Sequence, residues 1–104
     1  MSEVIGMEST VDFTKPSSGC VFPQGSGDII FVFITAGETE SATLKFLNGT
    51  TPEDPMLAIP IKVPAGNSQA FDFSIGSLNY YDGLYAILLG DGAQASIKVV
   101  HHEF

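Results

Sequence analysis

The chain is poor in positive charge, with four Lys and Arg residues against twelve Asp and Glu and a formal net charge of -8 over 104 residues. A surface of that sign repels phosphate backbones and anionic lipid headgroups alike, which argues against nucleic acid and membrane as partners. Cysteine is nearly absent. Cys20 stands alone and closes no disulfide within the chain, so stability has to come from packing. Cys20 itself reads as a small apolar residue, because a nucleophilic thiol needs a base beside it and none is evident. Long hydrophobic runs are missing too: the longest wholly apolar stretch, Ile29 to Ile34, is far too short to cross a bilayer as a helix. Residues 1–10 hold neither a basic segment nor an apolar segment of the length a signal peptide requires. A soluble protein is expected, or one exported by a route the sequence does not show.

What remains is apolar content in short pieces. Apolar residues make up 44% of the chain and charged residues 15%, enough to offset the conformational entropy lost on folding, and the length suits one hydrophobic core. Glycine and proline punctuate the sequence at intervals that fit strands, and no stretch of strand-exceeding length keeps a helical period. Val11 to Thr14 is a short strand candidate closed by Lys15-Pro16-Ser17-Ser18-Gly19. Asp28 to Thr35 has no polar face between Ile29 and Ile34, which predicts a central strand covered on both sides. Ala42, Leu44 and Phe46 alternate with Thr43 and Lys45, the period of a half-buried strand, and Asn48-Gly49 marks a turn. Ile59, Ile61 and Val63 alternate around Pro60, whose missing N–H places the segment at a sheet edge. Phe71, Phe73 and Ile75 alternate with Asp72 and Ser74. Leu84 to Leu89, Gly90-Asp91-Gly92 and Ala95 to Val100 read as a closing hairpin.

About seven or eight short strands at this spacing predict an all-β, single-domain antiparallel β-sandwich of jelly-roll or immunoglobulin-like kind. Residues 1–10 read as an N-terminal arm and 11–104 as the sandwich domain.

The inventory for chemistry is short. His101 and His102 are the two histidines. Neighbours on a strand face opposite ways, so the two imidazoles do not readily share a metal, and they read as part of a solvated tail. One histidine from each of several symmetry-related tails could still meet in an oligomer. Glu38, Glu40, Glu53, Asp54, Asp82 and Asp91 sit in turns without the dense spacing of a calcium loop, and nothing places two of them across a cleft. Asn48-Gly49-Thr50 matches a glycosylation sequon but reads as a turn, and Gly25-Ser26-Gly27 lacks the flanking strand and helix of a phosphate loop. No catalytic residue, metal or cofactor is assigned. The contact candidates are Tyr80 and Tyr81, tyrosines beside polar loop residues, with Val4, Ile5 and Met7 in the arm and Phe104 at the end, apolar groups suited to docking on a neighbour. A carbohydrate- or peptide-binding module using the two tyrosines is the alternative reading, and an enzyme using loop carboxylates ranks below it.

The final third carries a resemblance. Phe71-Asp72-Phe73-Ser74, then Asp82-Gly83-Leu84-Tyr85-Ala86, then Gly90-Asp91-Gly92-Ala93-Gln94-Ala95-Ser96-Ile97-Lys98-Val99-Val100, resembles the ending of small virion proteins of tailed bacteriophages. Asp28 to Leu47 resembles them more loosely. The resemblance implies a non-enzymatic structural protein of the particle, such as a capsid decoration or cement protein or a head or tail accessory component. It further implies a homo-oligomer whose partner is the major capsid protein or another virion protein. Its place would be the virion, on the capsid surface or tail, after a soluble stage in the host cytoplasm. The motifs are strand and turn chemistry, so no functional residue is carried over.

Overall fold

The computed structural model describes residues 6–73 and 78–102. Nine strands follow in chain order: β1 (Gly6–Phe13), β2 (Ser17–Phe22), β3 (Ser26–Thr35), β4 (Ala42–Asn48), β5 (Ile61–Val63), β6 (Ser68–Asp72), β7 (Leu78–Tyr80), β8 (Leu84–Leu89) and β9 (Gln94–His102). They form two sheets. Sheet A runs β1-β9-β3-β6, with β7 also beside β3; sheet B runs β2-β8-β4-β5. β6 pairs with Phe31–Thr35 and β7 with Gly27–Ile29, so together they act as one interrupted strand along β3. Every pairing is antiparallel and the partners are nested, β1 with β9, β2 with β8, β3 with β6 and β7, β4 with β5. That is one long ribbon rolled over on itself, the topology of a jelly roll. The sandwich expected from the strand spacing is therefore present. No helix among the described residues is long and apolar enough to cross a membrane.

The core lies between the layers. Ile29, Val32, Ile34, Ile97 and Val99 come from sheet A, and Leu44, Val63, Leu84, Ala86 and Leu88 from sheet B. β4 is the alternation that the sequence predicts, with Ala42, Leu44 and Phe46 inward. The short β5 is the edge of sheet B and begins directly after Pro60, which cannot donate to a ladder.

Two expectations need correction. The first concerns β3. Its pairing with β9 shifts register between Ile29 and Phe31, so the extra residue Ile30 turns the inward series from Ile29 to Val32 and Ile34. An apolar run without a polar face thus covers only one side, and Phe31 and Phe33 stand on the outer face, 38% and 42% exposed. The second concerns the closing hairpin. β8 and β9 lie in different sheets, so Gly90-Asp91-Gly92 carries the chain across the sandwich instead of joining paired strands. The crossing needs glycine: Gly90 and Gly92 have φ of 115° and 79°, and a Cβ on Gly90 would collide with the Ser41 carbonyl oxygen. Ala93 N–H closes the turn on Gly90 O at 3.0 Å, and Asp91 N–H donates to Glu40 at 2.7 Å, which gives that acid a structural task.

At Asn48-Gly49 the chain turns into a long loop, 49–60, and the Asn48 side-chain oxygen accepts the backbone N–H groups of Tyr81 and Asp82 at 2.6 and 3.1 Å. Asp54 anchors the loop by accepting from the Thr50 and Thr51 N–H groups and the Thr51 hydroxyl. Those hydrogen bonds, foremost from the Thr51 backbone and then the Thr50 backbone, hold its carboxyl below the usual range.

Candidate functional site

Two surfaces and one buried cluster hold the residues of functional interest. The cluster closes one end of the sandwich. Inward alternation along β9 runs Ala95, Ile97, Val99 and then His101, which is 6% exposed. Its ring stacks on Phe22 from β2, with centroids 4.0 Å apart and planes 3° from parallel, and lies 5.8 Å from the ring of Tyr80 on β7. The Tyr80 hydroxyl and His101 Nδ1 are hydrogen-bonded at 2.6 Å. Gly27 makes room, since a Cβ there would run into the Tyr80 hydroxyl and come within 2.5 Å of the Val100 carbonyl oxygen.

His101 is thus not part of a solvated tail, because the period of two that buries Val99 buries it as well. His102 takes the opposite face, as alternation requires, with Nε2 3.6 Å from Asp28 Oδ2; the other Asp28 oxygen accepts from the Asn79 side chain. Among the described residues no group of three or more His, Cys, Asp or Glu side chains is placed to hold a metal ion.

Tyr80 is 0% exposed, which corrects its assignment to a contact surface. The stretch reads as a polar loop, yet Leu78 and Tyr80 face inward while Asn79 faces out, and a buried histidine satisfies the hydroxyl. Tyr81 points the other way and is 68% exposed, so the two tyrosines share no surface. Met7 lies in β1 opposite His101. Val4, Ile5 and Phe104 lie outside the described residues.

Burial foremost, and then the negative charge of Asp28, push the Tyr80 pKa above its ordinary value near 10. A folded-state value raised above the unfolded one gives stability that is complete below about pH 10 and lost as the pH rises further. Unfolding free energy is expected to fall by roughly 1.4 kcal/mol per pH unit from this group above pH 10. Urea titrations between pH 8 and 11 check this, with Tyr80→Phe as the control in which that slope disappears. Equal slopes in both proteins would show that Tyr80 is not shielded.

The first surface is the outer face of sheet A, where an apolar run without a polar face predicts a covering layer. Register places Phe33 between Ser96 on β9 and Ala70 on β6, and Phe31 between Lys98 and Asp72. Two aromatic rings therefore stand as a ridge flanked by short or polar side chains. Hollows of about 190 and 390 Å³ lie beside it, the first reaching Asp12 and Gln94, the second bounded by Ile30, Asp72 and Lys98. Lys98 is paired with Glu8 at 2.9 Å across β9 and β1. The second surface is an apolar opening at the sandwich edge between β5 and the β6–β7 line, lined by Ile61, Phe71, Phe73 and Leu78 among others.

No protein-family model and no curated protein matches the chain. Solved structures do match. The NLP core of Drosophila, whose structure concerns pentamer formation and histone binding, is 16% identical over 98% of this chain and 100% of that one, with a TM-score of 0.55. A protein of the Bacillus endospore appendages, which form disulfide-linked pili, is 11% identical over 99% of this chain and 93% of that one, with a TM-score of 0.56. At such identities the likeness establishes the fold alone. The chain shares its β-sandwich with a protein that builds pili.

Proposed function

We propose that this chain is a non-enzymatic structural building block that assembles with copies of itself through the outer face of sheet A. The observation that carries the reading is the Phe31–Phe33 ridge, two adjacent phenylalanines more than a third exposed in the middle of a sheet face. Covering the exposed two-fifths of each ring stabilises an interface by roughly 1 kcal/mol per ring, and aromatic residues are enriched at interface cores. The flanking hollows are of a size to receive a ring from a facing copy, so the surface complements itself, as an isologous contact requires. Pentamer formation in the Drosophila protein and pili in Bacillus support self-assembly by proteins of this fold, though rings and filaments use heterologous contacts and not the two-fold one proposed here.

Within that class, the resemblance of the Phe71–Val100 stretch supports a capsid decoration or accessory protein of a bacteriophage particle, docked on a major capsid or other virion protein. The carbohydrate- or peptide-binding alternative loses ground, since one of its two tyrosines is enclosed in the core.

Sedimentation velocity tests the assembly. The parent is expected to show a mass that is a multiple of 11.0 kDa at micromolar concentration, and Phe31→Ser with Phe33→Ser to sediment as a single chain that keeps the β-sheet circular dichroism of a folded sandwich. Identical masses for parent and variant would remove this face from the proposal.

A further inference from the structure

At the edge where β5 of sheet B and the β6–β7 line of sheet A face each other, the two layers part around a pocket of about 350 Å³. Its lining includes Phe46, Ile59, Ile61, Phe71, Phe73 and Leu78. Phe46 belongs to the core, and Ile61, Phe71, Phe73 and Leu78 pack against it, so the floor of the pocket is continuous with the apolar interior. One wall is held by a backbone bond, Phe73 N–H to Ile30 O at 2.8 Å. A preformed apolar cleft of this volume falls within the range of small-molecule sites. At its rim Ile59, a large apolar side chain, is 85% exposed.

Charge selects the occupant. Among the described residues the lining contains no acid, although the chain carries twelve, and its one charged residue is Lys62. Lys62 has no ion pair among the described residues, whereas Lys98 is paired with Glu8. An apolar cavity of about 150 Å³ holds a benzene molecule, so 350 Å³ accommodates a chain of roughly eight to twelve carbons. We infer that this opening binds a linear hydrocarbon bearing one anionic headgroup, a medium-chain alkyl carboxylate, with the tail between Phe71, Phe73 and Ile61 and the carboxylate beside Lys62. This site is independent of the assembly face, which lies on the outside of sheet A.

Titrating the full chain with monomeric decanoate tests it, followed by calorimetry and by backbone amide shifts. Saturable one-to-one binding is expected, with shifts at residues 58–62, 71–73 and 78. Decanol is expected to bind about threefold more weakly and decyltrimethylammonium about tenfold more weakly. Lys62→Gln brings decanoate down to the level of decanol. Ala58→Trp, at an exposed lining position, fills the opening and weakens decanoate by about tenfold. Lys62→Gln, at an exposed site, keeps the test decisive if Ala58→Trp does not fold. Absence of saturable shifts at those amides up to about 1 mM decanoate, shifts centred instead on Phe31 and Phe33, or decyltrimethylammonium binding as tightly as decanoate would each overturn the inference.

Discussion

Tyr80→Ala is expected to lower stability by about 4–5 kcal/mol, the cost of emptying a fully enclosed aromatic site. In a domain of this size that moves the thermal midpoint down by on the order of 20 °C and takes most of the margin available to a small sandwich. The ring is stacked with Phe22 and His101, and its hydroxyl partners His101 Nδ1, so the deletion removes packing and leaves a buried nitrogen without its bond. Tyr80→Phe separates the two contributions. It keeps the ring and loses the hydroxyl, at an expected cost of about 1–2 kcal/mol. Urea unfolding monitored by circular dichroism measures both. A surface tyrosine would give changes within about 0.5 kcal/mol for either substitution, and that outcome would return Tyr80 to the contact surface.

Gly27→Ala is the companion case, approached from the opposite side. The added methyl meets the Tyr80 hydroxyl and stands 2.5 Å from Val100 O. The carbonyl belongs to the β3–β9 ladder and cannot give way cheaply, so a loss of about 3 kcal/mol is expected, at the upper end for overpacking. The two sites share a partner. In the Gly27→Ala, Tyr80→Ala double variant the hydroxyl collision is gone, so the combined loss is expected to fall short of the sum by about 1 kcal/mol. Additive losses would mean that the ring and the glycine do not touch.

How far the sequence disclosed this architecture depends on what kind of signal each element carried. β4 was legible because Ala42, Leu44 and Phe46 face the core while Thr43 and Lys45 do not, which writes a period of two into the sequence; β6 was legible only through Phe71, the one residue of Ser68–Asp72 that is half-buried. The edge position of β5 was legible through Pro60. β3 misled because a bulge has no compositional mark: the shift at Ile30 changes which residues face inward, and an unbroken apolar run conceals the change. Gly90-Asp91-Gly92 announced a reversal, yet two strands can leave a turn as paired neighbours or as members of opposite layers, and local chemistry does not distinguish them.

The buried cluster was partly readable. Extending the inward series of β9 by one more step reaches His101, and Leu78, Tyr80 alternate with Asn79, but short polar surroundings hid both. Its assembly depends on contacts between β2, β7 and β9, which are distant in the chain. The outer ridge was hidden for the same reason as the bulge, since a phenylalanine in an apolar run reads as core until the register is known.

Assembly through sheet A requires that ridge to be covered. Hydroxyl-radical footprinting of the unmodified chain, below and above the concentration at which it associates, measures the coverage at residue level. Protection of Phe31 and Phe33 by several-fold on association is predicted, with Tyr81 and Ile59 labelled equally in both states. Equal labelling of Phe31 and Phe33 in the single chain and in the assembly would contradict it.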